Sequence, residues 1–249
     1  MTLAGPVPAG DALVLAAGNG DRFQNGTGQS KLLQPFLGQP LILRTLDTAR
    51  QAGITSFHVV LGYQADNVRA VIERGAPHGV AVHFSYNPDW HLENGLSVLT
   101  ARARLEDRRF ALLMGDHLFE SRVLIGLLHR ASGRDDSLLA VDTRRADPLV
   151  AAEATKVQMV GTRIVAIGKS LDRYDALDTG LFVCAPALFG ALDDARASGD
   201  TTLSGGIRQL ASRGLMFGVD VGDAPWYDID TIADLQSAET LLGAQPEPA

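Results

Sequence analysis

A short apolar run, Leu13 to Ala17, breaks off into a loop with glycines at 18, 20, 26 and 28. Two cations, Arg22 and Lys31, stand within and just after that loop. Glycine lets backbone N–H groups turn toward an anion with no Cβ in the way, and such nests bind phosphate. The arrangement suits an open α/β sheet, where ligands bind beyond the carboxyl ends of the strands. The same stretch could also be an ordinary strand-to-helix turn that happens to be rich in glycine.

The segments that follow keep this rhythm. Asp11 to Ala17, Phe57 to Leu61, Val80 to Tyr86, Phe110 to Met114 and Ser137 to Asp142 read as strands. Between them, Pro40 to Ala52 (stopped by Gly53), Ala65 to Arg74, Leu96 to Leu105 and Arg122 to Ala131 read as helices. Strict alternation predicts a parallel sheet with helices on both faces. After residue 142 the pattern changes. Thr155 to Val160 and Ile164 to Ile167 flank Gly161-Thr162 as a hairpin, and Asp178 to Cys184 and Leu215 to Val221 are further strands. Helices led by Pro186, near Ile207 to Arg213 and from Thr231 to Leu242 complete the chain; the last opens with Thr231-x-x-Asp234, close to a capping box. The prediction is one domain over 1–249, with a nucleotide-binding half over about 11–142 and a second half over about 143–243.

The net charge of −7 argues against a generic nucleic-acid surface. It leaves room for a nucleotide, because local cations and a metal can outvote the global sign. The single cysteine, Cys184, lies in the run Leu181-Phe182-Val183-Cys184, where a buried thiol is expected. No run of about 18 apolar residues exists to insert in a membrane, and the first ten residues lack the basic and apolar regions of a signal peptide. A cytoplasmic location is expected.

Two acidic groups could hold a metal. Met114-Gly115-Asp116-His117 follows the fourth strand, and a carboxylate there is a natural Mg²⁺ ligand. Asp116 could instead cap a helix, and His117 could be a plain loop histidine. In Tyr227-Asp228-Ile229-Asp230-Thr231, alternation puts Asp228 and Asp230 on one side. Either could approach a metal, Asp228 ahead of Asp230, or Asp230 could cap the final helix with Asp228 at the site.

The glycine loop is neither of the common kinds. Gly18-Asn19-Gly20 is followed by Asp21, Arg22 and Phe23, so the third glycine of the dinucleotide fingerprint is missing, and Lys31 does not stand in a Walker A sequence. Instead, Leu15-Ala16-Ala17-Gly18-Asn19-Gly20-Asp21-Arg22 followed by Ser30-Lys31-Leu32-Leu33 resembles the two-part signature of nucleotidyltransferases that activate sugar phosphates and related alcohol phosphates. Glu93-Asn94-Gly95-Leu96-Ser97, Glu153-Ala154-Thr155-Lys156, Gly168-Lys169 and Asp178-Thr179-Gly180 follow in order. With the Gly-Asp-His, this series is most similar to the inositol-1-phosphate cytidylyltransferases, a family often joined to a membrane phosphotransferase that uses its product. Each lysine or carboxylate of the series could, taken alone, be ordinary surface.

The resemblance implies a Rossmann-like three-layer α/β/α fold with a mainly parallel central sheet and a small mixed β extension. It implies transfer of CMP from CTP to a phosphomonoester, inositol 1-phosphate first, with Mg²⁺ as cofactor. Leu15, Ala16, Ala17, Gly18, Asn19, Gly20, Asn94 and Gly95 would bind the nucleotide, and Arg22 and Lys31 would be catalytic. Asp116 with Asp228 or Asp230 would hold the metal. Glu153, Lys156, Lys169, Asp178, Thr179 and Gly180 would face the acceptor. A homodimer is compatible with it. Phosphocholine, an aminoalkyl phosphonate or a hexose 1-phosphate are rival acceptors, another NTP is a rival donor, and a non-catalytic nucleotide-binding regulator is a remote alternative.

Overall fold

The structure, a computed structural model, describes residues 10–23, 28–131, 135–144 and 154–243. In chain order the first elements are β1 (Asp11–Ala16), β2 (Pro35–Phe36), β3 (Gln39–Pro40), α1 (Leu41–Gln51), β4 (Ser56–Leu61), α2 (Ala65–Gly75) and β5 (Ala81–Tyr86). There follow α3 (Asn94–Thr100), α4 (Arg102–Leu105), β6 (Phe110–Met114), β7 (His117–Phe119), α5 (Ser121–Arg130) and β8 (Ser137–Asp142). The rest is β9 (Lys156–Val160), β10 (Arg163–Gly168), β11 (Ala176–Cys184), α6 (Ala187–Ala197), α7 (Leu203–Ser212), β12 (Met216–Asp220), β13 (Trp226–Asp228) and α8 (Ile232–Gly243).

Nine strands form one sheet in the order β5-β4-β1-β6-β11-β8-β12-β10-β9. From β5 to β6 it is parallel, as the alternation predicts. β6 and β8 are not adjacent, because β11 inserts antiparallel between the two. Its residues explain the placement. Leu181 and Val183 enter one core and Phe182 and Cys184 the other, so β11 is apolar on both faces and belongs at the centre. Burial pushes the Cys184 thiol well above its ordinary value, as a structural cysteine requires. The β9–β10 hairpin forms as predicted and turns at Gly161, φ +61°.

Helices cover both faces. Ile42, Leu46 and Ala49 of α1, spaced at helical intervals, join Val68 and Ile72 of α2 and Leu124 and Leu127 of α5 in one core. Val98 of α3, Leu105 of α4, Leu188 and Leu192 of α6 and Ile207 and Leu210 of α7 build the other. The helix expected over 96–105 breaks at Ala101, and the one expected near 207 begins earlier, capped by the Thr202 hydroxyl, which accepts from Gly205 N at 2.9 Å. A third, smaller core joins Phe23, Phe36, Leu41, Leu118, Ile229, Leu235 and Ala238. Among the described residues, no helix is long and apolar enough to cross a membrane.

At the far end of the sheet from the glycine loop, His58 is buried and stacks on His83 with ring centroids 5.1 Å apart. Its Nε2 lies 3.1 Å from Asp11 Oδ1, while its Nδ1 is buried with no partner. Burial lowers the His58 pKa, outweighing the Asp11 carboxylate. The unfolded chain therefore takes up a proton here more readily than the folded one, and stability is complete above the ordinary histidine pKa of about 6.5 and declines below it. The melting temperature is expected to fall between pH 7.5 and 5.5, and less steeply in His58→Gln. Equal slopes for the two proteins would assign the decline to other groups.

Candidate active site

The end of β1 is fixed by its neighbours. Leu15 O accepts from Gly115 N at 3.0 Å, and Ala17 O accepts from Tyr63 N at 2.9 Å. Gly20 then turns the loop at φ +63°, and a Cβ there would lie 3.0 Å from Lys31 Cδ. The two halves of the sequence signature therefore pack on each other: the Lys31 stem lies across Gly20. Asn19 Nδ2 donates to Asp21 Oδ1, closing the turn locally.

Lys31 is buried, and its Nζ lies 2.7 Å from Asp116 Oδ2, 3.0 Å from Asp230 Oδ1 and 3.0 Å from Ile229 O. Burial works to lower its pKa, but Asp116 and Asp230 outweigh that and hold it well above the ordinary lysine value. Arg22 pairs with the other oxygen of Asp230. One aspartate therefore joins both cations of the loop region.

The second half of the site rests on a strand pair that sequence reading missed. β7 and β13 run antiparallel, with His117 opposite Asp228. Ile229 N donates to Asp116 O at 3.3 Å, and the Thr45 hydroxyl donates to Gly115 O or His117 O, at 3.2 and 3.3 Å. His117 Nδ1 donates to Thr179 O at 2.9 Å, leaving Nε2 3.3 Å from Asp228 Oδ1 and 3.9 Å from Asp116 Oδ1. Burial would lower the His117 pKa, yet the facing Asp228 and Asp116 hold it well above the ordinary value; Asp228 is held correspondingly low against its own burial. One ligand atom from each of Asp116, His117 and Asp228 lies within 4.8 Å of the others. Gly180, at φ +76°, makes room, because a Cβ would overlap the His117 ring. Beside it, burial pushes the Asp178 carboxyl up to about 6, against the pull of the Gly180 N–H that its Oδ1 accepts at 2.8 Å.

The pattern separates Asp228 from Asp230. Cross-strand register sets Asp228 beside His117 and Asp116, whereas Asp230, two residues past that pair, serves Lys31 and Arg22. Asp230 does not cap the last helix. Thr231 and Asp234 do so reciprocally, Thr231 Oγ1 accepting from Asp234 N at 3.1 Å and Asp234 Oδ2 accepting from Thr231 N at 2.7 Å.

A cleft of about 850 Å³ opens over this cluster, and Arg22, Asn94, Lys169, Asp178, Gly180, Asp228 and Asp230 line it. Other predicted residues serve elsewhere. Lys156 does not line the cleft and stands over the Tyr174 ring at 5.6 Å. Thr179 is buried, its hydroxyl donating to Ala140 O at 2.9 Å. Gly95 packs on the backbone of Thr201 and Thr202, and Asn94, while lining the cleft, also accepts from Leu203 N through Oδ1 at 2.9 Å, so this pair anchors α7. Glu153 lies outside the described residues. A second groove of about 610 Å³, beside Phe84, Tyr86 and Asn67, holds none of the predicted residues.

Sequence reading also missed Asp142, Arg144 and Trp226, which line the cleft as a linked set. Asp142 Oδ2 accepts from the Trp226 indole at 2.9 Å and from Arg144 Nη2 at 2.7 Å. A carboxylate ending a buried strand was the available signal.

Residues 12–173 match the MobA-like NTP transferase domain family. The chain is 39% identical over 238 residues to the bifunctional IPC transferase and DIPP synthase of Rubrobacter xylanophilus, covering 93% of this chain and 51% of that protein. It is 32% identical over 249 residues to the CMP-5'-(3-aminopropyl)phosphonate synthase of Streptomyces rubellomurinus, covering 92% of this chain and 38% of that protein. The chain thus spans about half the length, or less, of these curated relatives. The solved structure of the inositol-1-phosphate CTP transferase from T. maritima matches with a TM-score of 0.83 at 27% identity, covering 96% of both chains. The Rossmann-like α/β architecture, the glycine loop and the extent of these matches agree: the chain belongs to the MobA-like NTP transferase family.

Proposed function

We propose that the chain transfers CMP from CTP to a phosphomonoester, inositol 1-phosphate first, and releases pyrophosphate. The observation that carries this reading is the buried Lys31 ammonium, held between Asp116 and Asp230 at the foot of the glycine loop, with Asp228 beside Asp116. The full-length likeness to an inositol-1-phosphate CTP transferase supports the choice of substrates.

An oxygen of the acceptor phosphate attacks the α-phosphorus, and the bond to the pyrophosphate oxygen breaks. That attacking oxygen is already ionised near neutral pH, so the protein's work is positioning and charge stabilisation. The loop from Leu15 to Gly20, with Arg22, holds the triphosphate. Lys31 stabilises charge at the α-phosphate. Two carboxylates, Asp116 and Asp228, offer hard oxygen donors close together, a set that fits Mg²⁺. Asp116 and Asp228 would hold such an ion, which would neutralise charge on the phosphates. Thr179 fixes the His117 ring through its carbonyl, and His117 in turn orients Asp228. Lys169 and Asp178 face the acceptor and Asn94 helps seat the nucleotide, whereas Gly95, Lys156 and Thr179 act on the framework around them. A cytoplasmic location and a homodimer belong to the same proposal, to be checked by fractionation and sedimentation.

A second reading, an aminoalkyl phosphonate as acceptor, is favoured by the Streptomyces relative. Pyrophosphate release from each of four NTPs, crossed with inositol 1-phosphate, 3-aminopropylphosphonate, phosphocholine and a hexose 1-phosphate, separates the two. The expected result is release with CTP and inositol 1-phosphate. Release only with another acceptor would replace the substrate and keep the reaction; no release with any pair would overturn both readings.

A further inference from the structure

We propose that Gln64 is a positioning residue that presets the segment from Gly28 to Lys31 for the nucleotide, an inference that rests on the nucleotidyl-transfer reading above. Gln64 joins β4 to α2 at φ +49°, ψ +37°, in the left-handed region. Glycine would make that turn without strain, so backbone geometry gives no reason for a glutamine. Among the described residues, Leu37 is the other non-glycine at positive φ, and it occupies the two-residue turn of the β2–β3 hairpin, where such angles are usual. Gln64 also stands at the N-cap of α2 and gives that helix no side-chain hydrogen bond.

Its carboxamide is used on the loop instead. Oε1 accepts from Ser30 N at 3.1 Å, while Nε2 donates to Gly28 O and lies 3.2 Å from the Tyr63 hydroxyl. The Tyr63 hydroxyl itself donates to Gly28 O at 3.1 Å. Two neighbours at the end of β4 therefore hold both sides of the segment from which Lys31 departs. Ser30 is buried and its own hydroxyl has no partner, so the glutamine supplies the side-chain hold on that residue's backbone. A sparsely populated φ/ψ persists where its surroundings over-determine it, and here these hydrogen bonds do so. A segment from Gly28 to Lys31 held in place before the triphosphate arrives spares the ligand that cost, and the saving appears as affinity.

Gln64→Gly tests this, since glycine tolerates the turn and removes the side chain that carries the carboxamide. Calorimetric binding of each of four NTPs with Mg²⁺, melting temperature and steady-state kinetics are measured together. The expected result is a melting temperature equal to or above wild type, with nucleotide Kd and KM raised about tenfold and the acceptor KM unchanged. Gln64→Glu keeps an acceptor for Ser30 N–H, loses the donor to Gly28 O, and is expected to fall between. An unchanged nucleotide Kd in Gln64→Gly would overturn the inference. So would a lower melting temperature with equal losses for both substrates, which would make the residue merely structural. If wild type binds a nucleotide without releasing pyrophosphate, the reaction fails while the Kd comparison still decides the role of Gln64. Binding of none of the four by wild type would overturn both.

Discussion

Asp116→Asn and Asp228→Asn are each expected to lower kcat for pyrophosphate release by about 10²–10³, the usual cost of losing one preorganised charge contact at a reacting centre. Asparagine preserves shape, and the fold around both positions is held by backbone: Asp116 O accepts from Ile229 N, and β13 pairs with β7 through main-chain groups. The loss should therefore appear in kcat and in the Mg²⁺ concentration needed for half-maximal rate, with far-ultraviolet circular dichroism unchanged. Lys31 would keep Asp230 and Ile229 O as partners in Asp116→Asn, so the ammonium stays in place and the carboxylate alone is tested. Wild-type kcat in both variants would remove the two aspartates from the reaction.

Gly180→Ala is expected to damage both stability and activity. At φ +76° an added Cβ is strained whatever space surrounds it, and here it would also overlap the His117 ring. The left-handed conformation costs about 1–2 kcal/mol and overpacking about 1–3 kcal/mol, so a stability loss of about 2–5 kcal/mol is expected by denaturant unfolding. Displacing His117 also breaks its hydrogen bond to Thr179 O and withdraws it from Asp228, so the surviving folded fraction should be poorly active. Gly161→Ala is the control. It has a similar φ of +61° and nothing within 4 Å of the new methyl group, so only the backbone cost of about 1–2 kcal/mol remains. Equal losses in the two variants would show that the His117 contact carries no weight.

What the sequence disclosed and what it withheld divide along a physical line. The glycine loop, Lys31, Asp116 and the late aspartates were legible because their chemistry depends on residue type and local spacing. Asp228 and Asp230 could not be ranked by alternation, which sets both on one side; the register of β13 on β7, a pairing between segments about a hundred residues apart, ranks them. The direction of β11 was hidden for a related reason, since a strand buried on both faces reads the same whichever way it runs. Lys156 looked like a site residue because a charge near a motif invites that reading, yet it lies over Tyr174, whereas Asn94 lines the cleft and also holds α7. A backbone angle such as that of Gln64 leaves no mark in residue type at all.

The third core has a consequence for the order of assembly. It brings Phe23 and Phe36 against Ile229, Leu235 and Ala238, and the Lys31–Asp230 contact above it spans 199 positions of the chain. During synthesis the strands from β1 to β12 can all emerge and pair before either late aspartate exists. A chain extended only to the end of β12 would carry its whole nine-stranded sheet and a glycine loop with no anion to brace Lys31 from the far side. Contacts this distant close last, because loop entropy must be met before they repay it. Under the proposed reaction, the growing chain would gain its late aspartates only when β13 pairs with β7.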